Sequence, residues 1–511
     1  MSRYILGIDA GTSVIKAALF DRDFREIVTA ARRTQVRTPQ PDRAEIDMGE
    51  VWAQTAGALR AVTAQIDARE IAAVALTGNM VGAWLIDRDG QPVRDAILWN
   101  DGRTQALIDR REAEQPGFMA HIFRSSGSVM QQGCTLPLLR WLSEHEPDVL
   151  AQAARALSCK GWLLYKLTGV AALDPTEASV LPGDTHTRGY SEAMIDWLGV
   201  RPQRHLLPAV LPSEAIAGTV SAAAAEVTGL AAGTPVVIGA GDVPASALGA
   251  GAAAPGDACT LMGTTILNCL ALDQPVFEPA DVGLLFCLPP DGWLRAMANI
   301  AGTTNLDWAV ALLYGAEQAA AVDSQALFAL LEDEARRSPP GAGGLLYLPY
   351  LSAAGIIAPV VHPGARAQFF GLNPTHGRGD LLRAVYEGVA FAIRDGYAVI
   401  PADIRSIRLA GGGARSAFWS QMIADVSGRR VLVPDGSEFG ARGAAALAAV
   451  GLGWYASVSE AVAVYSGQGR AFEPQADQVR GYEGRYRLYV QLRQQLMAVW
   501  DSARQHTGGD L

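Results

Sequence analysis

Short apolar runs closed by turn residues recur along the chain, and their period separates strands from helices. Tyr4-Ile5-Leu6-Gly7-Ile8-Asp9 is such a run and ends in a carboxylate; Ala10-Gly11-Thr12-Ser13 is turn chemistry; Val14 to Phe20 is a second run closed by Asp21. Together they predict a tight β-hairpin. Glu26 to Val36 alternates and predicts a further strand, and Asp47-Met48-Gly49-Glu50 opens a helix through Trp52, Ala56, Leu59 and Val62. Ile71 to Leu76 is unbroken apolar sequence, the pattern of a strand buried on both faces, and it delivers Thr77 to Gly82 at its C-terminal end. Ala83 to Ile86 predicts the next strand, whereas residues 146–233 read as helical segments and loops.

Later in the chain, Pro235 to Gly241 is an apolar strand that ends at Asp242. Ala367 to Leu372 reads as a strand edge, followed by a helix with Val385, Val389 and Ile393 on one face. Arg408 to Ala414 is a strand running into a glycine turn, with a helix from Ser416 to Val426, and an amphipathic helix through Tyr486, Leu488, Leu492 and Leu496 closes the chain.

The first hairpin has a second copy. Leu261 to Leu270 repeats its pattern, and Gly263-Thr264 stands at the same spacing from Asp273 as Gly11-Thr12 does from Asp21. Internal similarity of this kind predicts two related domains facing each other, each offering a hydroxyl-bearing loop to one shared ligand.

With 511 residues, half of them hydrophobic, the chain is too long for one ordinary core and two or more domains are expected. The net charge of −10, with Lys and Arg scattered rather than clustered, argues against nucleic acid and for a small-molecule partner. The N-terminus enters a strand at once, with no basic segment or signal-like stretch, which predicts a cytoplasmic protein with no membrane partner. The five cysteines lack Cys-x-x-Cys spacing and are expected to be buried small hydrophobes.

The first turn carries Asp9, Thr12 and Ser13, with Lys16 just beyond. Those groups suit a loop that brings backbone N–H groups and a cation to phosphate oxygens, with Asp9 placed to hold a hydrated Mg²⁺. Asp101 and Arg103 read as a fold-supporting pair. Asp242, ahead of Pro244, admits two readings: a cap on a helix, or a carboxylate at a strand terminus where α/β sheets bind ligands.

Asp9 to Lys16, Thr77 to Ala83 and Trp99 to Thr104 together resemble the FGGY carbohydrate kinases, particularly the xylulokinase-like branch. Gly133 to His145 resembles the first family signature, with Leu138 where a Lys is usual, and Ala367 to Glu387 matches the second. The resemblance implies an α/β fold of two ribonuclease H-like domains, as in the actin-like ATPase superfamily, with a catalytic cleft between them. It places the boundary so that residues 1–246 bind sugar and carry the first phosphate hairpin, while 247–511 bind ATP.

By the same likeness Asp242 is the catalytic base; Met80 and Val81 line the sugar; and Thr12, Ser13, Lys16, Gly263 and Thr264 surround the phosphates. Gly302, Gly413 and Ser416 surround the adenosine, and Mg²⁺ bridges the phosphates near Asp9. Gly440 to Leu447, a small-residue helix start, is expected to pack beneath the adenosine site.

The implied activity is ATP-dependent phosphorylation of a ketopentose hydroxyl in carbohydrate catabolism, in a protein that could be a homodimer. Xylulokinase-type relatives usually carry a His at the Val81 position, and glycerol kinases carry Arg-Glu at Met80-Val81. A polyol such as erythritol or glycerol is therefore the alternative acceptor. A non-kinase actin-like ATPase is the rival from another class. Most relatives also have a Gly-Glu-Arg run where this chain has Gly355 to Pro359.

Overall fold

The computed structural model describes residues 3–129, 131–320 and 323–506. Its contacts divide the chain into two compact units: residues 1–255, 271–294 and 436–467 form the first, and 256–270, 295–435 and 468–511 the second.

In the first unit β1 (Tyr4–Ala10) and β2 (Val14–Phe20) form the expected hairpin, with Asp9 opposite Lys16. β3 (Glu26–Arg33) extends it, and the turn between β2 and β3 is fixed by Asp21 Oδ1, which accepts from the amides of Asp23 and Arg25 at 2.9 Å each. On its other side β1 runs parallel to the strand Ile71–Gly78, and that strand runs parallel to Pro235–Val237. Three parallel strands present their C-terminal ends on one edge, which is where α/β sheets bind ligands. Asp9, the Gly78–Val81 segment and Asp242 all follow from those ends.

The sheet closes with Ile216–Thr219, antiparallel to Pro235–Val237. This strand corrects the reading of 146–233 as helices and loops. It is a short outer strand with a bulge and no fully buried side chain, so neither an apolar run nor strict alternation marks it.

α1 (Met48–Thr63) begins where expected, with Asp47 Oδ1 accepting from Glu50 N at 2.9 Å. Leu59 and Val62 pack with Leu6, Ile8, Leu19, Leu76 and Trp162 in the core under the sheet. The pair Asp101 and Arg103 is structural, as read: Arg103 Nε meets Asp101 Oδ1 at 2.7 Å, and Asp101 Oδ2 also accepts from Ala44 N.

The helix Phe439–Gly451 lies in this first unit, against the helix Asp242–Gly249 and β1. The expectation that it packs beneath the adenosine site is thereby corrected. Small residues signal close packing without naming the partner, and here the partners are Ala245 and the backbone near Gly7.

The second unit repeats the design. Asp257–Met262 pairs antiparallel with Ile266–Leu272 and parallel with Ser406–Ala410, which in turn runs parallel to Val431–Pro434. Gly469–Phe472 closes this side as an antiparallel edge. Strand for strand this is the arrangement of β2, β1, Ile71–Gly78, Pro235–Val237 and Ile216–Thr219.

Along the helix Arg378–Ala398, Val385, Val389 and Ile393 are fully buried as expected. Glu387 on that helix accepts from Gly341 N, Arg383 Nε and Tyr482 Oη, and so ties a glycine loop and the C-terminal helix to it. The C-terminal helix Ala476–His506 buries a face different from the predicted one: Tyr482, Tyr489, Arg493 and Trp500 are inside, while Leu488 is exposed. Arg493 is inside because Asp395 Oδ2 meets its Nε at 3.1 Å, a pairing that a hydrophobic pattern does not reveal.

All five cysteines are buried thiols with no disulfide among them. Among the described residues, no helix is long and apolar enough to cross a membrane.

Candidate active site

The hairpin turn after β1 is braced from outside the hairpin. Thr34 Oγ1 donates to Thr12 O at 2.7 Å and Thr34 N to Ser13 O at 3.1 Å, so both backbone carbonyls are occupied. The Thr12 hydroxyl accepts from Trp99 Nε1 at 3.0 Å, which leaves its own proton to donate. Ser13 is exposed. Lys16 Nζ meets Glu438 Oε2 at 3.0 Å, a partner far away in sequence that no local pattern could reveal.

Asp9 and Asp242 are both partly accessible to solvent and both titrate far above an ordinary aspartate. Burial pushes the Asp9 carboxyl up to about 6, opposed by Lys16 and reinforced by Glu438. Burial also pushes Asp242 up to about 7, and the negative charges of Asp9 and Glu177 add to the rise. A carboxylate raised in this way by the charge of another favours a proton or a nearby cation. Asp242 heads the helix Asp242–Gly249, where its Oδ1 accepts from Val243 N at 2.8 Å. Asp242 is thus the first helical residue rather than its cap, a position that Gly241 holds with no side-chain cap bond.

Met80 reaches the residue ahead of this carboxylate, and Val81 follows it in the chain. The Gly241 backbone packs directly on the Met80 thioether, and both side chains are buried. Val81 has φ +56°, a left-handed conformation rare for a β-branched residue. The loop is held there because Gly82 N donates to Gly133 O at 2.9 Å and Thr135 Oγ1 to Gly82 O at 2.6 Å. Trp99, tied to Thr12 by its ring nitrogen, keeps 40% of its surface exposed, so an apolar ring face is open next to a polar turn. The sequence reading named the Trp99 to Thr104 segment but not this ring as part of the site.

In the second unit, Gly263, Thr264, Gly302, Gly413 and Ser416 come together. Gly302 N donates to Thr264 O at 2.7 Å and Thr303 N to Gly263 O at 2.9 Å, so the two loops lie backbone against backbone. A Cβ on Gly302 would lie 2.6 Å from Gly263 O, which only glycine avoids. Gly413 packs on Met262, just before Gly263, and on Thr303. The Ser416 hydroxyl caps the helix Ala417–Ser427 by accepting from Trp419 N at 3.0 Å and donates to Glu332 Oε1 at 2.6 Å.

Among the described residues, no cluster of three or more His, Cys, Asp or Glu side chains is arranged to hold a metal ion. A single carboxylate such as Asp9 still fits Mg²⁺, which binds through one or two carboxylates with phosphate and water completing its shell.

Residues 4–249 match the N-terminal domain of the FGGY family of carbohydrate kinases and residues 258–452 its C-terminal domain. An erythritol kinase from Brucella abortus (strain 2308) is 35% identical, with 97% of each chain covered. An L-xylulose/3-keto-L-gulonate kinase from Escherichia coli (strain K12) is 31% identical over 99% of this chain and 100% of its own. Among solved structures, xylulose kinase from Rhodospirillum rubrum superposes with a TM-score of 0.86 at 28% identity, covering 98% of this chain and 100% of that one. Two α/β domains of actin-like ATPase type, carrying both family domains in order, place this chain in the FGGY family of carbohydrate kinases, on its xylulokinase-like branch, as an ATP-dependent phosphotransferase with an alcohol group as acceptor.

Proposed function

We propose that the protein transfers the γ-phosphate of ATP to a hydroxyl of a short open-chain polyol of the erythritol type, with a ketopentose of the xylulose type as the second reading. The observation that carries the first is Val81. Its side chain neither donates nor accepts a hydrogen bond, and it follows directly on Met80, whose thioether packs on the Gly241 backbone ahead of Asp242, so this position offers a ketose no polar partner. The 35% identity to an erythritol kinase agrees with this reading. The 31% identities to L-xylulose/3-keto-L-gulonate and xylulose kinases favour the second.

Phosphoryl transfer needs positioning and charge neutralisation more than covalent help. Asp242 takes the proton of the attacking hydroxyl; a carboxylate pushed up to about 7 is basic enough for that task near neutral pH. Met80, Val81 and the open face of Trp99 receive the acceptor. Thr12, Ser13, Lys16, Gly263 and Thr264 serve the phosphates, and Gly302, Gly413 and Ser416 serve the adenosine, Ser416 through its backbone because its hydroxyl is held by Trp419 N and Glu332. Asp9 would hold Mg²⁺, whose chemistry is to neutralise phosphate charge.

Residues 1–246 then supply the sugar site and the first phosphate hairpin, and 247–511 the ATP site. We place the reaction in carbohydrate catabolism in the cytoplasm. The net charge of −10 supports a small molecule, rather than nucleic acid, as the partner.

The test is ADP release from MgATP across a panel of tetritols, glycerol and pentuloses. The proposal expects turnover to rise well above background with erythritol or a related polyol. Stimulation by pentuloses alone would establish the second reading, and stimulation by no acceptor would remove both.

A further inference from the structure

Gly241 N donates to Thr176 Oγ1 at 2.8 Å, immediately before Asp242. Thr176 lies 65 positions earlier in the chain, so the bond pins the approach to Asp242 to a separate element. The polarity of the bond is fixed. An amide can only donate, so the hydroxyl accepts from Gly241 and spends its single proton on Asp174 Oδ1 at 3.0 Å.

Asp174 is held in turn by Thr176 N at 3.1 Å and Ser213 Oγ at 2.7 Å, both on Oδ2, and by Lys160 Nζ at 3.1 Å from Oδ1. Lys160 Nζ also meets Glu177 Oε2 at 3.0 Å, and none of the three charged side chains has exposed surface. Three titratable groups buried together cost desolvation energy unless the arrangement serves some other end, and here its outlet is a hydrogen bond to the residue ahead of Asp242.

We infer that Thr176 is a positioning residue for the phosphoryl-transfer step, acting through the Gly241 amide and anchored by Asp174, Lys160 and Glu177. The inference rests on the reading of Asp242 as the base. Glycine at 241 leaves the backbone free to shift, and the Thr176 bond removes that freedom.

Removing Lys160 would strand two buried carboxylates and threaten folding, so the test uses Thr176→Val, which keeps the shape and removes the acceptor, beside Thr176→Ser, which keeps the hydroxyl. Each is assayed where circular dichroism shows it folded, with Asp242→Asn in parallel. We expect Thr176→Val to lower kcat by about 10- to 100-fold, as a misplaced catalytic group does. KM for ATP and acceptor should stay within about three-fold, and Thr176→Ser should recover kcat to within about three-fold. Folded Thr176→Val with unchanged kcat, or a Thr176→Ser that fails to recover, overturns the inference while Asp242→Asn is inactive. An active Asp242→Asn overturns the base reading itself, and the inference with it.

Discussion

Gly440 and Asp9 lie in close contact: a Cβ at position 440 would stand 2.5 Å from Asp9 Oδ2. The helix Phe439–Gly451 therefore sets the room available to the carboxylate of the first hairpin. Because the clash falls on the end of a side chain rather than on backbone, Gly440→Ala should fold and displace Asp9. At Gly443, by contrast, a Cβ would run into the Ala245 carbonyl. We expect Gly440→Ala to keep its melting temperature within a few degrees and to lose activity at limiting Mg²⁺, while Gly443→Ala loses stability by several kcal/mol, on the order found for overpacked cores. Calorimetry and a Mg²⁺ titration of activity separate the two.

The two raised carboxylates make stability depend on pH in a definite direction. An aspartate near 3.8 in the unfolded chain rises to about 6 at Asp9 and about 7 at Asp242 on folding. The folded state thus holds protons that the unfolded chain releases, so the contribution is full below about pH 4 and is lost as pH climbs through about 7. Asp242→Asn removes the ionised group and should raise the melting temperature of the ligand-free protein at pH 8, with at most about 4 kcal/mol available and a smaller gain at pH 5. A melting temperature that falls equally at both pH values would contradict the burial account.

How much was legible in the sequence follows from what kind of signal each residue carries. The hairpins, the strand Ile71–Gly78 and the helix Arg378–Ala398 announce themselves by period and turn chemistry, because their burial is local and regular. The position of Asp242 after an apolar run was legible, but the strand itself stops at Val237 and Asp242 opens the following helix. The partners that tune the site were not legible. Glu438 reaches Lys16, Thr176 reaches Gly241 and Gly440 reaches Asp9 from distant parts of the chain, and only folding brings them together. The outer strand Ile216–Thr219 and the Arg493 face of the last helix escaped because a half-exposed strand and a buried ion pair both violate the hydrophobic pattern.

Val81 couples strain to specificity. A β-branched residue in left-handed backbone costs about 1–2 kcal/mol, and glycine carries no such penalty. Val81→Gly relieves that strain but gives up the buried side chain, worth about 1.5–3 kcal/mol, so its melting temperature should fall by less than truncation of an unstrained buried valine would cause. Val81→His should raise kcat/KM for D-xylulose relative to erythritol by roughly several-fold, the worth of one added hydrogen bond. An unchanged substrate ranking in the His variant would mean that residue 81 does not face the acceptor.

Ser416 serves its helix before it serves any ligand. Its hydroxyl is committed to Trp419 N and Glu332, so Ser416→Ala should cost about 1 kcal/mol of stability, as the loss of a helix cap does. ATP affinity by calorimetry should change by less than about three-fold, since the backbone of Gly302 and Gly413 is left in place. A large loss of ATP affinity with unchanged stability would assign the hydroxyl to the nucleotide instead.

The central claim is that Asp242 is the base, and Asp242→Asn tests it most directly, by kcat and KM for the best acceptor beside ATP affinity. Asn keeps the shape and the hydrogen bond from Val243 N but cannot take the hydroxyl proton. The account predicts kcat lower by about 10²- to 10⁴-fold, a smaller change in acceptor KM, and ATP affinity close to that of the unmodified protein. A variant with near-normal kcat would contradict it.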